Sequence, residues 1–250
     1  MQNSSLLPNS WLLLLLIFLL LGGCSTVPRV PAGAPPAIRP AQTDGVTLNK
    51  ISDPLEGINR GIYRFNYYLD KYLLLPLVSS YRSVLPDFVE NGISNALDNI
   101  GDIGNLTNAL LQLKISKAGS SASRIVLNST VGFLGIWDPA TDYFNIRRQK
   151  EDFGQTLGRY GVGHGPYLIL PLFGPSSLRD AAGLAADGLI FTAIDPLNFD
   201  HNDLEIPYYT LKTIDTRKRE PFRYYGSGSP FEYELLRLIY TEQRDLEVAR

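Results

Sequence analysis

The sequence predicts an all-α domain behind a signal peptide and a proline-rich linker. Three observations support this: apolar residues recur at helical spacing, alternating strand patterns are scarce, and the N-terminal composition changes abruptly twice. The predicted boundaries are a signal peptide at 1–23, a lipidated cysteine with a linker at 24–50, and a helical domain at 51–250. A domain of this length is large enough to bury a sizeable core.

The signal peptide is indicated by the apolar run WLLLLLIFLLL at 11–21, which is shorter than the ~20 residues that span a membrane. Leu21-Gly22-Gly23-Cys24 follows and matches the lipobox, at which bacterial lipoproteins are cleaved and acylated. The sequence therefore predicts lipidation of Cys24, and Ser25 favours sorting to the outer membrane. The alternative is an ordinary secretory signal with a chance cysteine.

Composition restricts the function classes. Cys24 is the only cysteine and the chain has two histidines, so neither an intrachain disulfide nor a zinc site is expected. The formal net charge of −2 lacks the global basic field that nucleic-acid binding uses. Tyrosine is the commonest aromatic residue and suits membrane interfaces, because its ring is apolar and its tip polar. The Pro- and Ala-rich segment 25–50 is typical of a semi-extended tether.

The first helix is predicted to begin at Asp53-Pro54-Leu55-Glu56, with Asp53 as N-cap and Pro54 at the first helical position. An apolar stripe follows at Leu55, Ile58, Ile62, Phe65, Leu69 and Tyr72. A polar stripe runs beside it at Glu56, Asn59, Tyr63, Asn66 and Asp70. Pro76 is expected to end or kink this helix.

Helical patterns continue along the rest of the domain. They predict helices at 87–113, 120–134, 177–194, 207–219 and 230–248, with a turn or short helix at Asp138-Pro139. Ser229-Pro230-Phe231-Glu232 is predicted to form a capping box at the start of the last helix. The helix at 177–194 carries the small residues Ala181, Ala182, Ala185 and Gly188, which permit close helix contacts.

The segment FGQTLGRYGVGHGPYLILPLFGP at 153–175 is rich in glycine. A dinucleotide-binding loop needs a preceding strand and a helix that opens at the glycines, and a P-loop needs Gly-Lys-Ser/Thr. The segment fits neither pattern, because Pro166 follows the glycines directly. It is interpreted as a rigid irregular connector, in which glycine allows positive φ angles and proline fixes the exit. Its structural residues are Gly161, Gly163, Gly165 and Pro166.

Enzymatic activity and a cofactor are not expected. His164 and His201 are the only histidines, and the chain lacks the G-x-S-x-G turn of α/β-hydrolases. Two alternatives stay open on the residues alone. One is a lipid hydrolase or acyltransferase that uses one of these histidines, and the other is a structural lipoprotein that tethers a partner.

Several long strings resemble the VacJ/MlaA family of Gram-negative outer-membrane lipoproteins. They are SDPLEGINRGIYRFNYYLD at 52–70, NGISN at 91–95, FGQTLGRYGVGHGPYLILPLFGPSSLRD at 153–180 and the region around DTRKRE at 215–220. The first ten residues depart from the usual pattern because they carry neither Lys nor Arg.

The resemblance implies a ring-like helical domain that lies in the inner leaflet of the outer membrane. It implies an amphipathic pore through which phospholipids that have strayed into the outer leaflet pass to a soluble periplasmic carrier, so that lipid asymmetry is maintained. Members of the family associate with trimeric porins. The expected partners are therefore phospholipid, the outer membrane, a trimeric porin and the periplasmic carrier, and no nucleic acid.

A passage for phospholipid needs a polar wall beside an apolar one. The candidate residues for this passage are Asn59, Phe65, Asn66, Tyr67, Asp70, Asp180 and Asp187. The alternative is that they only cap, pair or face water. Candidates for contact with lipid phosphate are Arg179, Arg217, Lys218 and Arg219, with a solvated charged face as the alternative. The apolar stretch at 168–173 is a candidate for contact with acyl chains, and core packing is equally compatible with it.

Overall fold

The computed structural model describes residues 52–250, apart from the side chain of Asp200; the predicted signal peptide, Cys24 and the linker at 24–50 lie outside the described residues. The structure is 67% helical with two short strands, which confirms the all-α class in its main feature. The helices are α1 (Glu56–Leu69), α2 (Leu75–Val84), α3 (Asp87–Leu111), α4 (Ile115–Thr130), α5 (Pro139–Asp142), α6 (Phe153–Arg159), α7 (Leu178–Ile194), α8 (Glu205–Arg219) and α9 (Glu232–Ala249). The strands are β1 (Tyr167–Leu170) and β2 (Gly174–Ser177).

Pro76 does not end the first helical segment. A π-helical turn, Asp70–Leu74, connects α1 directly to α2, and Pro76 lies in the first turn of α2. Because the preceding turn is helical, Pro76 removes one backbone hydrogen bond from a continuous path, and the wider π turn lies next to this interruption. The helical path therefore continues with a change of register, and such π turns often occur at functional sites.

Two predicted helix caps are wrong. Leu55 is the N-cap residue of α1, and Asp53 instead accepts a hydrogen bond of 2.8 Å from the side-chain amide of Asn59. Glu232 does not close a capping box, because its carboxylate accepts hydrogen bonds from backbone N–H groups of Tyr225 and Ser227 in the loop before α9. Both carboxylates therefore join distant parts of the chain or shape a loop, a role that local spacing does not reveal.

The glycine-rich segment is more regular than the irregular connector predicted at 153–175. Its first part forms α6, and β1 and β2 then pair as an antiparallel hairpin, with Tyr167 opposite Ser177 and Leu170 opposite Gly174. Strands of four residues are too short to show an alternating pattern in the sequence. The hairpin depends on hydrogen bonds from α1, which are described below.

Close helix contact occurs at a pair of glycines. A Cβ atom on Gly183 of α7 would overlap the backbone of Gly154 in α6, and one on Gly154 would lie 2.5 Å from Oδ1 of Asp180. The close contact of α7 is therefore made by Gly183, which was not among the small residues named from the sequence. Gly188 has open space where its Cβ would be.

The distribution of side chains is the reverse of that in a water-soluble domain. In α3 the buried face is polar, and the buried polar residues of the described chain include Asn99, Asp102, Asn105, Asn108, Arg124 and Asn128. The apolar core is small and aromatic, centred on Tyr63, Tyr167, Ile169 and Tyr233. Large apolar side chains are exposed along most elements, for example Ile58, Phe88, Leu113, Phe133, Leu189 and Ile206. So much exposed apolar surface indicates contact with lipid or protein rather than with water.

Among residues 52–250, no helix combines the length and the apolar character that crossing a bilayer requires.

Candidate functional site

A cavity of about 1490 Å³ lies between the helices. Its apolar lining includes Leu97, Ile100, Ile103, Leu184, Ile194 and Ile239. Its polar lining includes Asn66, Asp70, Asn108, Asp187, Lys212 and Arg217. The volume exceeds the roughly 300–1,000 Å³ of ordinary small-molecule sites. The cavity therefore suits a large molecule that has both a polar and an apolar part.

Asn66 lines the cavity and connects α1 to the tip of the hairpin. Its side-chain amide donates to the carbonyl oxygen of Leu170 at 2.9 Å, and its oxygen accepts from the N–H of Leu172 at 2.9 Å. Leu172 has a φ angle of +71°, which is unfavourable for a residue with a side chain. The two hydrogen bonds from Asn66 hold this turn in place beside the cavity.

Asp70 also lines the cavity, and it is already paired. The Arg217 guanidinium donates from Nε to Oδ1 at 2.5 Å and from Nη2 to Oδ2 at 2.9 Å, in a two-point geometry that fixes both side chains. Nη2 of Arg217 also donates to the carbonyl oxygen of Phe222 at 3.0 Å. The pair joins the π turn to α8 across the cavity wall and leaves no net charge there.

Three passage candidates on α1 lie outside the cavity lining. Asn59 is 1% exposed and holds β1, donating to the carbonyl oxygen of Tyr167 at 3.0 Å and accepting from the N–H of Ile169 at 2.9 Å. Tyr67 is buried against the edge of a neighbouring tyrosine ring, and Phe65 is 53% exposed. The polar stripe of α1 therefore serves hairpin attachment as well as the cavity.

Asp180 is buried in an ion-pair cluster away from the cavity lining. Its carboxylate accepts hydrogen bonds from Arg244 at 3.0 and 3.2 Å, from Arg179 at 2.9 Å and from the Tyr240 hydroxyl at 2.7 Å. Burial alone would raise the pKa of Asp180, but the hydrogen bonds from Arg244, Arg179 and Tyr240 outweigh it and hold the pKa well below the usual range. Arg179 is thus committed to a carboxylate.

Asp187 lies seven residues after Asp180 and does line the cavity. Its carboxylate accepts from the backbone N–H of Phe153 at 2.9 Å and from the side-chain amide of Asn108 at 2.7 Å. Burial raises the pKa of Asp187, and these two hydrogen bonds only partly oppose the rise. The carboxylates of Asp180 and Asp187 are seven residues apart on α7 and therefore share a helical face, but they have different surroundings.

The charged run at the end of α8 is held by carboxylates. The Lys218 ammonium lies 3.2 Å from Asp215, and the Arg219 guanidinium lies 2.8 Å from both Asp98 and Asp215. Sequence analysis did not single out Lys212, one turn earlier, which lines the cavity. Lys212 lies four residues after Tyr208, a buried residue of α8, so the two side chains share one face of the helix. This spacing is the sequence signal that could have identified Lys212.

The loop at 131–137 carries apolar side chains on a rigid backbone. Phe133, Leu134 and Trp137 are exposed by 66%, 75% and 63%. Phe133, Leu134 and Gly135 have φ angles of +53°, +60° and +89° in succession. Six backbone N–H groups of this loop nevertheless donate to carbonyl oxygens of the chain. A loop with paired amides and outward apolar side chains is suited to lipid, where unpaired amides are costly.

The glycine loop and the histidines lie apart from the cavity lining. Gly161 and Gly165 have positive φ angles of +85° and +66°. Gly163 lies between them in the same loop. The carbonyl oxygen of Pro166, the residue at the exit of the loop, accepts a hydrogen bond from the N–H of Leu178. Gly161 follows the last turn of α6, where a glycine with positive φ commonly ends a helix.

Each histidine contacts one polar side chain among the described residues. His164 Nε2 lies 2.6 Å from Asp245, and His201 Nδ1 lies 2.9 Å from Asn198. Neither imidazole makes a hydrogen bond to a serine, threonine or cysteine side chain within residues 52–250. The described residues also hold no group of three metal-ligating side chains.

A sequence model of the MlaA lipoprotein family matches residues 51–247, most of the chain. The chain belongs to the MlaA lipoprotein family. Within the MlaA family, the "Intermembrane phospholipid transport system lipoprotein MlaA" of Escherichia coli K12 is 36% identical over 170 residues, 66% of this chain and 66% of the relative. The protein of the same name from Haemophilus influenzae is 29% identical over 146 residues, 58% of each chain. The matched part therefore spans slightly less than two thirds of the Escherichia coli relative and 58% of the Haemophilus influenzae relative.

A solved structure described as "Structural basis for maintenance of bacterial outer membrane lipid asymmetry" has a similar fold. It matches with a TM-score of 0.64 at 32% sequence identity, and the match covers 79% of this chain and 99% of that chain. The two structures therefore share their overall fold over about four fifths of this chain.

Proposed function

We propose that this chain is an outer-membrane lipoprotein that removes mislocalised phospholipids from the outer leaflet. The phospholipids pass through the cavity to a soluble periplasmic carrier, and lipid asymmetry is maintained. The observation that carries the proposal is the cavity itself, which has about 1490 Å³ of space and both polar and apolar walls. The names of the relatives, which refer to phospholipid transport, support the substrate class.

The chemistry of a phospholipid matches the two kinds of wall. Its acyl chains favour surfaces such as those of Leu184, Ile194 and Ile239, because apolar contact avoids exposure to water. Its charged headgroup needs hydrogen-bond partners, which the polar wall around Asn108 and Lys212 supplies. A passage of this kind lowers the cost of moving a headgroup away from the membrane surface.

The same proposal places the protein in the periplasmic leaflet of the outer membrane, anchored through acyl chains on Cys24. Each buried CH₂ group contributes about 0.8 kcal/mol, so several acyl chains hold the protein on the membrane. The exposed apolar loop at 131–137 supports lipid contact. Trimeric porin and the periplasmic carrier are included as partners on the basis of the family resemblance.

The proposal describes a conduit without catalysis. The Asp245 contact of His164 and the Asn198 contact of His201 supply no nucleophile, which supports this part of the proposal. The tethering alternative makes a different demand, because a tether needs only the anchor and an outer surface. A bulky side chain placed inside the cavity would therefore leave the function of a tether unchanged.

The test is a deletion strain in which surface phospholipid is measured by its release with an exogenous phospholipase. The complementing variants are wild type, Cys24→Ala, His164→Ala, Gly188→Trp and Gly119→Trp. Gly188 lines the cavity with open space at its Cβ position, so Trp fills the cavity without a clash at the Cβ. Gly119 of α4 is the matched control, because it has equal space but lies outside the lining.

We expect deletion to raise surface phospholipid, and the wild type, His164→Ala and Gly119→Trp to restore it. Cys24→Ala and Gly188→Trp are expected to fail. Restoration by Gly188→Trp would favour the tether. Failure of His164→Ala at normal protein level would favour an enzyme. Unchanged surface phospholipid after deletion would reject the assignment to lipid traffic.

A further inference from the structure

The cations in the cavity wall differ in how they are neutralised. Arg217 pairs with Asp70, and Arg148 donates to Asp102 at 2.9 Å and also contacts Asp98. Lys212 makes neither a hydrogen bond nor an ion pair with any side chain that the structure describes. Arg223 of the lining also lacks a carboxylate partner in residues 52–250, but it donates to the carbonyl oxygens of Glu220 and Phe222. Of these four cations, only the Lys212 ammonium has no hydrogen-bond acceptor in this part of the chain.

Aromatic rings form the surroundings of this ammonium. The Lys212 Nζ atom lies 5.5 Å from the ring centre of Tyr208 and 5.7 Å from that of Phe191, and the two rings stack 5.5 Å apart. Both distances fall within the range of cation–π attraction. The rings hold the side chain at the cavity wall but leave its three N–H donors without acceptors.

The position is unfavourable for an isolated charge. Burial lowers the pKa of Lys212, the nearby Arg148 guanidinium lowers it further, and Asp187 opposes the change. Asp187 is itself engaged by the Phe153 N–H and the Asn108 amide. The Lys212 side chain is nevertheless exposed at the cavity surface, so an incoming anion can reach the ammonium without displacing a partner.

We propose that Lys212 is the phosphate-binding residue of the cavity, where its ammonium pairs with the phosphodiester of a phospholipid. This inference rests on the proposed function, because the cavity must admit phospholipid. An ammonium offers three donors and a compact charge, which suits a phosphate that passes in changing orientations. The apolar wall near Leu184 and Ile194 of α7 lies on the same cavity surface and accommodates the acyl chains.

The test uses the purified full-length lipoprotein in detergent. Binding of a short-chain phosphatidylglycerol is measured for wild type, Lys212→Gln, Lys212→Arg and Lys150→Gln. Lys150 is an exposed lysine outside the cavity lining and serves as the matched control. Inorganic phosphate and a short-chain diacylglycerol are tested as separate probes. Inorganic phosphate distinguishes a site for free phosphate from a site for lipid. Diacylglycerol, which lacks the phosphate, distinguishes binding of the acyl chains from binding of the headgroup.

We expect Lys212→Gln to weaken phosphatidylglycerol binding by about tenfold or more, since a hydrogen bond to a charged group contributes roughly 1.5–3 kcal/mol. Lys212→Arg is expected to retain binding, and Lys150→Gln to match the wild type. Diacylglycerol should bind all variants equally. The Tm of lipid-free Lys212→Gln is expected to stay close to that of wild type, because the substitution removes the two cation–π contacts but no hydrogen bond or ion pair.

The inference is overturned if Lys212→Gln binds phosphatidylglycerol like the wild type. It is also overturned if only inorganic phosphate shows the dependence on Lys212, since the site is then one for free phosphate. These failures leave the conduit intact when deletion still raises surface phospholipid. A wild type that binds no phospholipid, from a strain in which deletion has no effect, rejects the conduit and the inference together.

Discussion

Arg124 donates its Nε hydrogen to Asp102 across 2.8 Å, and the two side chains are 2% and 0% exposed. The same guanidinium reaches Thr141 at 2.8 Å and Asp138 at 3.1 Å, so α3, α4 and α5 meet at one cation. A charge buried this deeply is tolerated only where its hydrogen-bond donors are used. In this molecule polar groups occupy the place that leucine and isoleucine take in a soluble bundle.

The first prediction concerns this pair. Arg124→Met is expected to reduce the free energy of unfolding by about 1.5–3 kcal/mol, because Asp102 loses a buried charged hydrogen bond but keeps the one from Arg148. Denaturant unfolding in detergent measures the loss. Glu56→Gln is the control, since its pair with Arg60 lies at the surface and should contribute at most about 1 kcal/mol. Equal effects of the two substitutions would contradict the interpretation.

The second prediction concerns the hairpin that borders the cavity. Asn66→Ala removes the acceptor of the Leu172 N–H, so hydrogen exchange at this amide is expected to accelerate by an order of magnitude or more. The Ile169 amide, which donates to Asn59, is the internal reference and should keep its protection. Acceleration at both amides would mean that the hairpin opens as a unit.

Sequence periodicity predicted the helices well and the function of their faces less well. On α1 the polar and apolar stripes were recognised, but the spacing did not reveal which stripe is buried. Asn59 and Asn66 turn inward because β1 and its turn offer backbone partners more than 100 residues away. A contact at that separation leaves no local pattern, so the hairpin could not be derived either.

Local sequence patterns also predicted the lining of the cavity only in part. Asn66, Asp70 and Asp187 were candidates and lie in its lining, whereas Asp180 is engaged in an ion-pair cluster. All four are polar residues in helical segments, so residue type did not separate them. Their surroundings differ because, of these four residues, only Asp180 accepts hydrogen bonds from Arg244 of the last helix.

The third prediction is a pH dependence of stability. Burial alone would raise the pKa of Asp152 and Asp180, but hydrogen bonds from Arg244 outweigh it and keep both values below the usual one near 4. The unfolded chain therefore binds protons at higher pH than the folded chain does. The stabilising contribution of these carboxylates is present above about pH 4 and is lost as pH falls toward their folded pKa values.

Asp180→Asn provides the check on this pH dependence. We expect the variant to be less stable than the wild type at pH 7 and to show a shallower loss of unfolding free energy between about pH 5 and 3. Asp203→Asn is the control, because Asp203 is exposed. Parallel pH profiles for the wild type and Asp180→Asn would show that other carboxylates dominate the acid response.

The fourth prediction concerns the loop at 131–137. Left-handed backbone at Phe133 and Leu134 costs roughly 1–2 kcal/mol per residue, and the conformation points apolar side chains away from the core. Burial of these side chains in lipid would offset that cost.

In a Trp11→Phe background, Trp137 is the only remaining tryptophan, so its fluorescence reports the position of the loop. We expect a blue shift on addition of vesicles, quenching by lipids labelled along the acyl chain, and weaker quenching in Phe133→Asp. Asn145→Asp, at another exposed position with positive φ, is the charge-matched control and should quench like the parent. Fluorescence that is quenched only by a water-soluble agent would place the loop in the periplasm.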